Sequence, residues 1–161
     1  MERPKKTKSE NQSPTPVVYS AQHLRAVDNG RLSLPPDWRP QGWPTEFTLL
    51  PWPLEAPKYL LVLPPERWET MRRNLSPESL SDEQGMMLQR LVYASASRRS
   101  LDSYGRLPLP EEAMKKFGLE AEALLVGMED KFEIWPPAKL NEAISNLDPL
   151  TIKNYVAARK L

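Results

Sequence analysis

Two arginines in this chain directly follow a glycine that reads as a turn residue. The first ends Asp28-Asn29-Gly30-Arg31, the second ends Asp102-Ser103-Tyr104-Gly105-Arg106, and both run on into Leu-x-Leu-Pro. Glycine in such a turn supplies a positive φ, and the aspartate can brace the loop with its side chain. The arginine is not required for the turn. Its guanidinium is a rigid fork of donors that fits a phosphate or the edge of a guanine. A single copy reads as a hairpin turn with an exposed arginine, or as an Asp-Arg pair bracing its own loop. Two copies at a constant spacing of 75 residues read differently. Core repetition would keep the leucines and the proline, but it has no reason to keep an arginine.

The elements that must position these turns also repeat. "YLLVLPPERWETM" over 59–71 and "KFEIWPPAKLNEAI" over 131–144 each run an apolar strand into Pro-Pro and then a helix, with Pro64 and Pro136 set 72 residues apart. Each half therefore reads turn, strand, connection, strand, helix. Two copies are too few for a solenoid, and they suit two equal halves that build one core. Strands are expected over 18–27 and 31–34, joined as a hairpin through Asn29-Gly30, and over 46–50 and 58–63, joined by the proline-rich 51–57. After Pro65, Trp68, Met71 and Leu75 mark one helix face. Ser81-Asp82-Glu83-Gln84 reads as a capping box with Ser81 as the cap. The helix behind it places Leu80, Gln84, Met87, Leu88, Leu91 and Tyr93 to Ala96 so that an apolar stripe runs along it, read as core. The second half predicts a hairpin over 97–102 and 106–109 and a short helix "EEAMKKF" closed by Gly118. A strand pair "EALLVG" and "KFEIW" turns at Glu129-Asp130. A helix is expected after Pro137, and another opens at Asp148-Pro149.

Composition removes several function classes. The 161 residues include no cysteine and one histidine, His23. Disulfides, thiolate metal sites and cysteine nucleophiles are thus excluded, and no histidine–carboxylate cluster suggests zinc. His23 lies in an alternating, strand-like stretch with no nucleophile elbow to serve; it reads as structural or solvent-facing. Net charge is +1, with 40% hydrophobic and 27% charged residues, so bulk charge does not draw the chain to nucleic acid. Positive charge is local: Lys5, Lys6 and Lys8 in the N-terminal segment, and Arg98, Arg99 and Arg106 around the second turn. No apolar run reaches the ~18 residues of a membrane span. The basic start has no apolar stretch to make it a secretory signal, so the cytosol is the expected compartment. Glu66 and Glu69 can be read as hydrolase carboxylates. They stand where a helix start favours acids, with no base, nucleophile or phosphate loop beside them.

Taken together, the two Asp-x-(x)-Gly-Arg turns, "LLVLPPERWETM", "LVYASA" at 91–96 and "LLVGMEDKFEIWPP" resemble the MraZ family, within the AbrB-like swapped-hairpin proteins. The likeness covers about residues 18–145. It implies an α+β, mainly β fold of two tandem intertwined swapped-hairpin repeats closing a pseudo-two-fold β-barrel. The implied divisions are a disordered basic arm over 1–16, a first repeat over 17–76, a connecting helix over 77–96, a second repeat over 97–146 and a C-terminal helix over 147–161. It further implies a nucleoid-associated transcriptional regulator, not an enzyme, with no cofactor and no metal. Such a protein assembles into a ring and binds double-stranded DNA with repeated boxes upstream of the division and cell-wall gene cluster.

On that likeness Arg31 and Arg106 are the DNA contacts, and Asp102 and Asp28 orient the turns. Arg98, Arg99 and the N-terminal lysines add phosphate contacts. The sequence departs from the family pattern in four ways. The first turn is one residue shorter, Asn29 and Tyr104 stand where a basic residue is usual, 51–57 is an insertion, and the basic N-terminal arm is peculiar to this chain. The alternative reading is an oligomeric interaction module of the same fold that has lost DNA binding.

Overall fold

The chain folds around strands that take their partners from the opposite half. The structure, a computed structural model, describes residues 16–40, 45–76, 78 and 80–161. Its strands are β1 (Gln22–Ala26), β2 (Arg31–Ser33), β3 (Glu46–Trp52), β4 (Tyr59–Leu63), β5 (Ser97–Ser100), β6 (Arg106–Pro108), β7 (Glu122–Gly127) and β8 (Phe132–Trp135). The helices are α1 (Pro65–Asn74), α2 (Glu83–Ser95), α3 (Glu111–Phe117), α4 (Pro137–Ser145) and α5 (Pro149–Ala158). Six strands form an antiparallel sheet in the order β1-β7-β8-β4-β3-β5, while β2 and β6 pair only with each other. When the equivalents β1/β5, β3/β7 and β4/β8 are exchanged, that order reads the same backwards.

Two expectations are corrected by the strand pairing. Residues 18–27 do not form a hairpin with 31–34, nor 97–102 with 106–109. Beyond the turn, β1 leaves β2 for β7, and β5 leaves β6 for β3. The exchange packs Leu32 and Leu34 of one half with Leu107 and Leu109 of the other, all buried in one core. A fully buried leucine contributes about 1.5–3 kcal/mol, far more than a three-residue strand gains from its local turn. The sheets also do not close into a barrel. The β2–β6 ribbon has three residues on each side and joins neither β1 nor β5 in a strand ladder, so the larger sheet stays open.

The apolar runs in β3 and β4 are continuous because both faces of this pair are covered. Phe47, Leu49, Leu60 and Val62 face the main core with Trp38, Phe132, Ile134 and the ribbon leucines. Leu50, Leu61 and Leu63 face a second cluster with Trp68, Leu75 and Val92 of the helical layer. The expected α1 face of Trp68, Met71 and Leu75 is the one that packs there. His23 sits edge-on to Trp38 at 5.2 Å between ring centroids, a packing role.

At α2 two readings fail. The cap is Asp82, whose Oδ1 accepts from the Gly85 N–H at 2.6 Å, and not Ser81. Beginning the helix one residue later makes Gly85 the third helical position, so no side chain reaches back and there is no capping box. The expected core stripe is largely open: Met87, Leu88, Leu91 and Tyr93 are exposed, Leu80 and Ala96 pack against the second cluster, and α2 itself buries Gly85 and Val92. Elsewhere the ends follow the chemistry. Gly118 closes α3 in the left-handed region at φ 66°, and Asp148 caps α5 through the N–H groups of Leu150 and Thr151. The arm expected over 1–16 lies outside the described residues apart from Pro16.

Candidate nucleic-acid interface

The ribbon's register fixes where the two arginines point. Leu32 is opposite Leu107, and both are buried, so the alternate residues Arg31, Ser33, Arg106 and Pro108 share the other face. Arg106 is opposite Ser33 and Arg31 opposite Pro108, so the arginines are diagonal neighbours, about 7–8 Å apart by general sheet geometry. Their side chains converge on one carboxylate. Asp102 Oδ2 accepts from Arg106 Nε at 2.7 Å and lies 3.4 Å from Arg31 Nη1. The arginine side chains remain 39% and 45% exposed, while that of Asp102 is 20% exposed. One face thus carries two half-open guanidiniums from opposite halves of the chain, oriented by one acid.

Asp102 is held from both sides. Its Oδ1 accepts from the backbone N–H groups of Tyr104 and Arg106, each at 2.9 Å. The Arg106 backbone bond is the main cause that holds this carboxyl below the usual aspartate range, with the Arg106 guanidinium adding to it against partial desolvation. The Arg106 guanidinium also lies 5.1 Å from the exposed Tyr104 ring centroid.

Asp28 takes the equivalent backbone position without the equivalent role. Its N–H donates to the Arg31 carbonyl at 2.9 Å, as the Asp102 N–H does to Arg106. Among the described residues, however, its carboxylate makes no hydrogen bond or ion pair. The turn length accounts for the difference. Asn29 and Gly30 both have positive φ, 50° and 72°, which suits a two-residue type I′ turn. Arg31 N–H then goes to the Asp28 carbonyl at 3.0 Å. The longer second turn leaves Arg106 N–H facing the Asp102 carboxylate instead.

Arg98 and Arg99 separate. Arg99 is opposite Phe47 and shares the main-core face of the sheet, whereas Arg98 is opposite Thr48 on the other face, 3.7 Å from Glu46. The register also reveals Arg25, which lies outside the turn motifs and was missed in the sequence. Arg25 is opposite Ala123 as Arg99 is opposite Phe47, and its Nε donates to the Ser33 carbonyl at 3.1 Å, beside the ribbon. The available signal was a spacing of 74 from Arg25 to Arg99, the same as from Asp28 to Asp102.

A second missed residue is Arg39. Its Nε and Nη2 donate to the Leu34 carbonyl at 3.0 and 2.8 Å. It also lies against Gly105, where an added Cβ would come within 2.4 Å of Arg39 Nε. At Gly30 the equivalent neighbour is Met114, whose Cε would be 3.2 Å away. The two turns thus rest on chemically different seats, one cationic and one thioether. The repeat concealed Arg39, because the position 75 residues on holds Met114.

Residues 92–157 match the family model described as "MraZ protein, putative antitoxin-like". The chain is 32% identical to the transcriptional regulator MraZ of Thermomicrobium roseum over 125 residues, 74% of this chain and 82% of the relative. The chain belongs to the MraZ family. It is also 30% identical to the MraZ of Chlorobium luteolum over 135 residues (78% of this chain, 88% of that one). With the MraZ of Thioalkalivibrio sulfidiphilus it shares 33% over 113 residues (70% and 75%). The family-model match takes in the second arginine turn with Tyr104, while the shorter first turn, Asn29 and residues 51–57 lie outside it. No group of three or more metal-ligating side chains occurs among the described residues, and no helix among them is long and apolar enough to cross a membrane.

Proposed function

We propose that this MraZ-family chain is a transcriptional regulator that binds double-stranded DNA at repeated boxes upstream of the division and cell-wall gene cluster, acting as a ring-shaped oligomer in the cytoplasm at the nucleoid. One observation carries the reading: Arg31 and Arg106 converge on Asp102 on the outward face of the β2–β6 ribbon. Short β-ribbons enter DNA grooves, and an arginine fork held by an acid is aimed before DNA arrives. In this reading Arg99 and Arg25 supply phosphate contacts beside the ribbon, Asp28 contributes its backbone turn, and Arg98 is peripheral. The partner exchange between halves is the basis for assigning two tandem swapped-hairpin repeats, over 17–76 and 97–146, with 77–96 between them and 147–161 after.

A protomer offering about two phosphate contacts has a shallow salt dependence and weak affinity, since each contact contributes roughly 0.9 to the slope of log K against log salt. Several protomers on spaced boxes recover affinity through effective concentration. The test is a gel-shift titration against the gene's upstream DNA with Arg31→Ala/Arg106→Ala alongside. Loss of the shift supports the site, and an unchanged shift at moderate salt removes it.

The near-zero net charge and the uncharged Asn29 and Tyr104 beside the turn glycines favour a second reading, an assembly module that no longer binds DNA. An oligomer by light scattering with no shift on any upstream fragment supports that one. Catalysis by Glu66 and Glu69 has little support: Glu69 is paired with Arg72 at 3.0 Å, and Glu66 begins α1, where an acid suits the helix dipole.

A further inference from the structure

A cavity of about 290 Å³ lies away from the ribbon, between the ends of four elements, at the small end of the size range of small-molecule sites. Lys58 enters it from just before β4, Lys116 and Phe117 from the last turn of α3, Trp135 from the end of β8 and Lys139 from the first turn of α4. Trp135 is a fixed wall: it is buried, stacks on Tyr59 at 4.4 Å between ring centroids, and donates from Nε1 to Glu133 at 2.9 Å. Glu142 is the one acid in the lining, 3.5 Å from Lys139. Three lysines and one glutamate leave the lining with a charge of +2. Among the described residues Lys58 and Lys116 make no ion pair, and the Lys116 ammonium lies 5.8 Å from the Phe117 ring centroid.

The repeat shows that this excess charge is not imposed by the fold. β4 and β8 pair about Leu61 opposite Glu133, two residues 72 apart in the chain. The same spacing carries Arg67 to Lys139 and Lys58 to Asp130. In one half the cation meets its acid, with Arg67 Nε 3.2 Å from Asp130 Oδ2. In the other half the place of that acid is taken by Lys58, so two cations line the cavity where the twin has an ion pair. Like charges gathered at one site repel unless an anion joins them.

We propose that this cavity binds a nucleoside monophosphate, its phosphate among Lys58, Lys116 and Lys139 and its base against Trp135 and Phe117. A phosphate monoester carries about −1.5 to −2 near neutral pH, which matches the lining, and lysine binds phosphate as a point charge. A carboxylate would leave half of that charge unmet. The aromatic walls suit a flat ring, through offset-stacked or edge contacts. The site shares α3 with Met114, on which Gly30 of the first arginine turn rests.

Isothermal titration calorimetry of the native chain with AMP, GMP, CMP and UMP tests the site without DNA, so its outcome is independent of the DNA reading. At least one nucleotide is expected to bind, with the matching nucleoside and inorganic phosphate each roughly tenfold weaker or more, and with affinity falling as salt rises. Lys58→Asp, which restores the acid of the twin, brings the lining to zero charge and is expected to abolish binding. Lys116→Gln is expected to weaken it roughly tenfold. Lys115→Gln, on the same helix but outside the lining, should leave it unchanged. Lys58 and Lys116 are both exposed, so circular dichroism of their variants should match the native chain. No heat from any of the four nucleotides, native affinity in Lys58→Asp or Lys116→Gln, or phosphate binding as tightly as the nucleotide would overturn the assignment. So would binding that is lost as the protein concentration is raised, which would give the cavity to a second copy of the chain.

Discussion

Gly105→Ala tests the site's construction most sharply, because its twin, Gly30→Ala, is an internal control. Both glycines have left-handed φ, 75° and 72°, and a non-glycine residue there costs roughly 1–2 kcal/mol. At Gly30 the added methyl meets only Met114, its Cε at 3.2 Å and its Sδ at 3.7 Å, the end of a flexible chain that can turn aside. At Gly105 it meets Arg39 Nε, Cζ and Cδ, all between 2.4 and 2.7 Å, so the guanidinium must leave. Leaving breaks two hydrogen bonds to the Leu34 carbonyl. Hydrogen bonds to charged groups contribute about 1.5–3 kcal/mol, and with Arg39 half-buried the low end applies. Gly30→Ala is therefore expected to cost about 1–2 kcal/mol and Gly105→Ala about 3 kcal/mol or more. Urea unfolding at one fixed protein concentration measures both, since association would otherwise shift the midpoints. A gap of ~1.5 kcal/mol corresponds to roughly 3–6 °C in melting temperature for a chain of this size. Equal losses in the two variants would refute the claim that the turns rest on different seats.

Other outcomes follow from the same contacts. Asp102→Asn keeps an acceptor for the Tyr104 and Arg106 N–H groups but removes the charge between the arginines; the preference for box DNA over scrambled DNA, measured by competition anisotropy, is expected to fall. Because the Asp102 carboxyl is depressed in the folded state, its contribution is complete above the ordinary aspartate value of 3.8 and is lost only as pH falls through the lower folded value. The turn's amide protection, followed by hydrogen exchange, should persist down to pH 4 and fail below it. Asp148 follows the same sign, held down chiefly by the Thr151 hydroxyl, so helicity at α5 is expected to be lost over the same acid window. Asp82→Ala is expected to cost about 1 kcal/mol in urea unfolding, as loss of an N-cap does, whereas Ser81→Ala changes little.

Local chemistry made much of this chain legible. Trp68, Met71 and Leu75 marked the buried face of α1, Gly118 the end of α3, and Asp148 the start of α5, because each signal lies within one or two helical turns. Strand pairing was not legible at Asn29-Gly30: a type I′ turn specifies a reversal but not how far the two strands stay together. The answer lay 75 residues away, where Leu107 and Leu109 offered Leu32 and Leu34 a deeper burial. Asp82 took the place of Ser81 because both are good caps one position apart, and the helix that starts one residue later brings Gly85 close against Leu80. At the candidate site the arginines were legible as a repeated pair. The sharing of a single aspartate was not, since it depends on the diagonal register of β2 and β6. Arg39 was hidden because its repeat partner is a methionine, and Arg25 because the shorter first turn shifts its spacing from 75 to 74.

The central claim is that Arg31 and Arg106 form one composite DNA contact aimed by Asp102. Fluorescence anisotropy of an upstream DNA fragment, titrated at several salt concentrations with the native chain and with Arg31→Ala, Arg106→Ala and the double variant, tests it directly. The account predicts that each single variant weakens binding and makes the salt slope shallower, by roughly 0.9 for every phosphate that each bound protomer no longer neutralises. It also predicts that the double variant abolishes the preference for box DNA. Native affinity and an unchanged slope in the double variant would contradict it.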